Sequence, residues 1–229
     1  MWKPTTIWRP GRGNTASGGF GVQCSNTGDL GYAKPRDVYQ EKLAHELAKS
    51  IGVSVPEIRL GEVEGRGGLH AVSVVFGKEC FDLRSARETS TITEPLKAAL
   101  ALASGLLALH GWLATGDLKE DHVLVTTDDD GTCCVAAIDF ASAFAWGPDG
   151  GNIDGPTTEP KGLVENVDKA VVEATVRQIE AMTDDVIRQT VALIPDTILP
   201  QADRDRVANG LITRRARIRA AMRTRGWLP

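Results

Sequence analysis

The chain has no stretch apolar enough, for long enough, to cross a bilayer. Its richest run, residues 98–114, is interrupted by Ser104, Gly105, His110 and Gly111, and falls short of the ~20 apolar residues a spanning helix needs. Residues 1–10 lack the apolar core of a secretory leader, so the expected location is the cytoplasm and no membrane contact is expected. No Cys-x-x-Cys pair occurs. Cys133 and Cys134 are adjacent and would point to opposite faces of a strand, while Cys24 and Cys80 stand apart; reduced, buried thiols follow. Internal repeats and long linkers are missing as well. A net charge of −4 excludes a general nucleic-acid coat. What is there suits an ordinary globule: 229 residues, 42% apolar and 24% charged, enough to bury a core as one large domain or as two lobes around a cleft.

The most informative stretch runs from residue 114 to 144. Two strand-like apolar runs, 123–125 and 135–138, flank the turn Asp128-Asp129-Asp130-Gly131 and predict an antiparallel hairpin. Asp117 and His122 precede the first run, and Asp139 follows the second. Such a hairpin carries carboxylates from its two ends into one small volume. Carboxylates that close repel unless a cation lies between them, which points to a divalent metal. Phosphoryl transfer needs this combination, with one aspartate near the incoming hydroxyl and metal ligands near the phosphates. An ordinary surface hairpin with loop acids is the competing reading.

Upstream, Gly11, Gly13, Gly18, Gly19 and Gly21 are interleaved with Asn14, Thr15 and Ser17. Such a loop turns backbone N–H groups toward phosphate oxygens, although a flexible turn has the same composition. A first short strand is predicted over 5–8, a second over 20–24, and a third over 30–35 that ends in Lys34. Residues 37–51 predict a helix with Asp37 as N-cap and Gly52 as its stop. Leu43, Ala44, Leu47, Ala48 and Ile51 form its buried stripe. Helical geometry sets Glu41 at the edge of that stripe and Glu46 on the opposite, watered side, so Glu41 is nominated as the partner of Lys34. Segments 57–63 and 69–76 predict a hairpin, and 76–80 the connection between lobes, where Glu79 is the candidate nearest a bound base. From Thr93 onward one central helix is predicted, with His110 packed or capping at its end. Three more helices follow, over 164–182, 184–193 and 203–225. The last 27 residues hold eight Arg against two Asp. A solvated or ion-paired face is the expected use of these arginines, and contact with an acidic partner or nucleic acid is the alternative.

Several of these words resemble known enzymes. Asp117-Leu118-Lys119 followed by His122 is similar to the catalytic loop of protein-kinase-like enzymes, and Ile138-Asp139-Phe140 to their metal-binding Asp-Phe-Gly element. Gly116-Asp117-Leu118 also resembles aminoglycoside phosphotransferases. The segment 41–56, from the glutamate-led helix through Ile51-Gly52 to Val55-Pro56, together with Ser142-Ala143-Phe144, resembles the HipA-like kinases. The departures are His122, where the family has Asn, and Ala141, where many relatives have Gly. The resemblance implies an α+β, two-lobe protein-kinase-like fold, with a small antiparallel-sheet lobe over 1–80 and a mainly helical lobe over 81–229. It implies ATP with Mg2+ or Mn2+, and transfer of the γ-phosphoryl group to a hydroxyl of a protein serine or threonine, in a toxin-like setting with an antitoxin-like partner. Asp117 would then orient the acceptor, and Lys119 would offset charge on the transferred group. Lys34 and Glu41, with Ser17, Gly18, Gly19 and Glu79, would hold the nucleotide; His122 and Asp139 would bind the metal. A small-molecule phosphotransferase and a non-catalytic nucleotide-binding module are the alternatives. The imidazole of His122 prompts the second, since it favours softer metals than magnesium.

Overall fold

The computed structural model describes residues 1–5, 18–75, 80–89, 92–116, 118–127, 130–144 and 160–229. Its amino-terminal part is an antiparallel sheet of β1 (Trp2–Pro4), β2 (Phe20–Cys24), β3 (Leu30–Lys34), β4 (Ile58–Glu62) and β5 (Leu69–Val74), in the order β1-β2-β3-β5-β4. Period-two alternation divides β3 between two faces. Ala33 joins Trp2, Val22 and Val72 in a small core on one face, while Lys34, opposite Ala71, faces the other way. The first strand is Trp2–Pro4, not 5–8; Thr5 adds an N–H to the Gly21 carbonyl at 3.0 Å, and residues 6–8 lie outside the described residues. The indole of Trp2 decides this placement. A Cβ on Gly61 would lie 2.6 Å from its ring, and one on Gly31 3.4 Å, so the two glycines form its seat.

Helix α1 (Val38–Ser50) crosses the Lys34 face of the sheet and buries Leu43, Ala44, Leu47 and Ala48. Asp37 does not cap it through its side chain. The residue sits at φ 56°, and its carbonyl accepts the Glu41 N–H at 3.1 Å. Gly52, at φ +70°, ends the helix as expected. Glu46 is half-buried rather than in water, paired with Lys42 at 2.5 Å, because Lys42 also reaches back to the Ile58 carbonyl.

Strand β6 (Cys80–Asp82) begins a second sheet with β7 (Val123–Thr127) and β8 (Cys133–Ala137), in the order β6-β7-β8. The hairpin is the predicted one. The third strand is not, since 76–80 reads as a connection. Asp82 then caps α2 (Leu83–Glu88) by accepting the Ser85 N–H.

The single helix expected after Thr93 is two: α3 (Glu94–Leu102) and α4 (Gly105–Leu113), bent by 41°. Thr93 caps the first and Pro95 lies in its opening turn. The bend comes from contacts with α6 (Lys169–Ala181), preceded in the chain by the single turn α5 (Lys161–Val164). The Ser104 hydroxyl accepts the Asp168 N–H at 2.9 Å, and a Cβ on Gly105 would stand 2.5 Å from Thr175 Oγ1. Every residue of α4 is buried, whereas Leu102 at the end of α3 is 74% exposed. No single helix among the described residues is long and apolar enough to cross a membrane.

Helices α7 (Asp184–Ala192), α8 (Gln201–Arg215) and α9 (Ile218–Thr224) complete the chain. The last two replace one predicted helix, but Val207, Leu211, Ile218 and Met222 form the buried stripe expected of it. Several of their arginines are ion-paired with neighbouring segments. Arg219 binds Glu173 and Glu180, each at 2.7 Å, Arg215 binds Asp184 at 2.6 Å, and Arg204 binds Asp196. The main core takes in α1, both strands of the hairpin, and helices α3, α4 and α6 to α9.

Candidate functional site

Lys34 is the last residue of β3, where Pro35 ends strand pairing, and Glu41 is on the first turn of α1 facing back at it. The Lys34 ammonium lies 2.5 Å from Glu41 Oε1 and 2.9 Å from Asp139 Oδ1. Lys34 and Glu41 are 8% and 3% exposed, so these charges are out of bulk water and each depends on the other. Burial drives the Glu41 carboxyl above its usual range, although Lys34 and the Phe140 N–H pull the other way. Burial also opposes charge on Lys34, but the carboxylates of Glu41 and Asp139 outweigh it and keep the ammonium above its ordinary value. For Asp139, burial is overcome by Lys34 and His122, so its carboxylate titrates below the usual range.

The hairpin delivers Asp139 and His122 to the same end. Ile138 N–H donates to the His122 carbonyl at 2.9 Å, and His122 N–H donates to the Lys119 carbonyl at 3.0 Å. His122 Nε2 is 3.6 Å from Asp139 Oδ2. Leu118 is buried, and Lys119 is half-buried beside the single 3-10 turn Glu120–His122. Glu120 anchors that turn by accepting hydrogen bonds from Arg87 and from the Gly162 N–H. Asp139 adopts φ +65°, a left-handed conformation that costs a non-glycine residue about 1–2 kcal/mol. The ring of the next residue, Phe140, is buried and stacked on His110 with centroids 4.9 Å apart. His110 is packed, as expected. Its Nδ1 lies 2.5 Å from Thr115 Oγ1, and burial lowers its pKa to about 3.

The structure thus brings Lys34, Glu41, His122 and Asp139 into one cluster. Asp117, Ser17 and Glu79 lie outside the described residues. Gly18, at φ +67°, has open space around it, but a Cβ on Gly19 would collide with the Tyr32 ring at 2.4 Å. That glycine accommodates an aromatic side chain of the same sheet, a use that glycine content alone does not reveal. Tyr32 lies directly across from Gly21 and two residues before Lys34, hence on the Lys34 face.

Among the described residues no three His, Cys, Asp or Glu side chains converge as a metal cage. Asp139 and His122 nonetheless fit a magnesium- or manganese-nucleotide, because such ions bind through one or two protein ligands and take the remainder from phosphate and water. The imidazole tilts the pair toward manganese.

The two sheets and the helices that follow them share the protein-kinase-like fold of two solved structures. The Helicobacter pylori proinflammatory kinase CtkA is similar in structure, with a TM-score of 0.65 and 14% identity, over 93% of this chain and 93% of that one. HipA of Shewanella oneidensis MR-1, solved as a toxin–antitoxin complex with HipB and operator DNA, superposes with a TM-score of 0.54 and 12% identity, over 95% of this chain and 67% of its own. No family model and no curated protein sequence matches the chain.

Proposed function

We propose that this protein is an ATP-dependent phosphotransferase that moves the γ-phosphoryl group to a serine or threonine hydroxyl of a protein. The observation that carries the reading is the ion-paired cluster of Lys34, Glu41 and Asp139, in which Lys34 and Asp139 are 105 positions apart, set beside His122. A strand lysine held by a helix glutamate suits the α- and β-phosphates. Asp139 and His122 would hold the divalent ion, which supplies neutralisation of phosphate charge. Asp117, five residues before His122, would orient the acceptor hydroxyl and take up its proton. Lys119 would offset charge developing on the transferred group. The neighbour crystallised with its antitoxin supports a toxin-like role with a cognate protein partner.

Transfer of label from γ-labelled ATP to the protein itself and to a bacterial protein extract, with magnesium and with manganese, tests the reading. Wild type should label acceptors, and Asp117→Ala or Asp139→Ala should reduce labelling at least a hundredfold. Full activity in both variants overturns the assignment.

A second reading is nucleotide binding without transfer. It is favoured by His122 at the metal position and by the direct Lys34–Asp139 pair. It predicts ATP binding in wild type, no label transfer with either metal, and biological effects that survive Asp117→Asn.

A further inference from the structure

Helix α4 hands the chain to residues 115–119, and the carbonyls of its last turn are met partly by its cap, where the Ala114 N–H reaches Gly111 at 3.4 Å, and partly by groups from elsewhere in the fold. Thr115 returns its N–H and its hydroxyl to the His110 carbonyl at 3.1 and 3.3 Å. Arg214 Nη2 donates to the Gly111 carbonyl at 2.6 Å, and Arg214 Nε to the Trp112 carbonyl at 2.8 Å. Phe144 N–H donates to the Leu113 carbonyl at 2.9 Å. A helix leaves four such acceptors open, so each of the four here has a named donor.

Arg214 supplies two of them from α8, roughly a hundred residues further along the chain, and it is only 2% exposed. Desolvating a guanidinium is expensive. This one sits at the negative end of the α4 dipole, where a cation is most favourable. Its rigid fork spans two successive carbonyls, which a lysine ammonium does not reproduce. The surrounding contact is close. Trp112 Nε1 donates to the Leu211 carbonyl at 3.0 Å, and a Cβ on Gly111 would lie 2.7 Å from Met222 Cε.

We propose that Arg214 is a positioning residue. It fixes the last turn of α4 and the left-handed exit at Ala114, at φ 53°, and thereby the course of the chain through the described residues 115–116 and 118–119 that follow. The catalytic consequence rests on the phosphotransfer reading, whereas the positioning does not.

The test compares wild type, Arg214→Met, Arg214→Lys and a control in the separate small core of the first sheet, Val22→Ala, each in the whole chain. Hydrogen–deuterium exchange and steady-state ATP turnover are measured on each. Arg214→Met should raise exchange over residues 112–119 at least tenfold with α1 unchanged. Its kcat should fall at least tenfold with KM for ATP within twofold. Arg214→Lys, which keeps the charge and loses the fork, should fall between it and wild type. If Arg214→Met does not fold, Arg214→Lys decides by the same two readouts. Exchange over 112–119 indistinguishable from that of the control would overturn the proposal, as would an unchanged kcat. Wild type without turnover would instead overturn the phosphotransfer reading, and the exchange pattern would still decide the role of Arg214.

Discussion

Lys34 shows most directly how single residues govern this molecule. Replacing it with methionine leaves Glu41 buried without its cation, a change of the kind that costs about 3–5 kcal/mol. Because burial already raises the Glu41 carboxyl, the loss should shrink as pH falls and Glu41 takes up a proton. Lys34→Met combined with Glu41→Gln should accordingly be more stable at neutral pH than Lys34→Met alone, as urea midpoints across the double-mutant cycle would reveal. His110 gives a second prediction at this scale. Its folded pKa of about 3 lies below the ~6.5 of an unfolded histidine, so between those values the unfolded chain binds the additional proton. The contribution of His110 to stability is complete above about pH 6.5 and is lost as pH falls toward 3, by up to about 1.4 kcal/mol per pH unit. His110→Gln should flatten the acid side of the stability profile, measured by denaturant titration from pH 7 to 4. Some of this was readable in the sequence. The strand-end position of Lys34 and the helical phase of Glu41 are enough to pair them, and the hairpin is enough to bring 122 toward 139. Arg214 was not readable, because an arginine on a basic helix belongs in water by default and only the open end of α4 draws this one inward. Nor was Tyr32, whose ring explains Gly19 only once the register of β2 and β3 is known.

At the scale of elements, local signals fixed where most helices begin, and distant contacts fixed where they break. Thr93, with Pro95 behind it, starts α3 as expected. At 103–104 the local signal, the pair Ser104-Gly105, permits a break without requiring one. The interruption follows from Ser104 and Gly105 meeting Asp168 and Thr175, which no reading of residues 93–113 alone contains. Strand β6 escaped notice for a different reason. Three residues with one aromatic carry too little alternation to read as a strand, and pairing with β7 alone identifies it. The two α4 glycines should therefore respond differently to alanine. At Gly111 the obstacle is the mobile end of Met222, and the gain of about 1 kcal/mol in helix propensity should leave the variant close to neutral. At Gly105 the obstacle is Thr175, whose hydroxyl is tied to the Val171 carbonyl at 3.0 Å. Gly105→Ala should cost about 1–3 kcal/mol, largely restored by Thr175→Ala, with thermal midpoints of the four proteins as the measure.

For the molecule as a whole, α1 is the member shared between the first sheet and the helices. Its stripe lies in the same core as α4, α6 and α8, while Val38 at its start packs with Ile58 and Ala71 of the sheet. The ring of Tyr39 stacks on Phe144 at 6.2 Å, linking the helix that carries Glu41 to the segment that follows Asp139. Sheet and helices should consequently unfold together. Tryptophan fluorescence, which samples Trp2 in the sheet and Trp112 in the helices, should give the same midpoint as far-UV circular dichroism, and two separated transitions would contradict a shared core. The α+β kinase-like fold class was legible through the resemblance carried by residues 41–56, 117–122 and 138–144.

One consequence of the seat beneath Trp2 concerns the order in which the polypeptide is made. Besides resting on Gly31 and Gly61, Trp2 bridges Val63, and its carbonyl accepts the Glu64 N–H at 2.9 Å. None of these later partners exists when the ribosome adds Trp2 to the growing chain. The indole must wait, solvated and available to chaperones, until more than sixty further residues have emerged. Trp2 is thus made well before the residues that seat it, and is among the later side chains in this sheet to find its place.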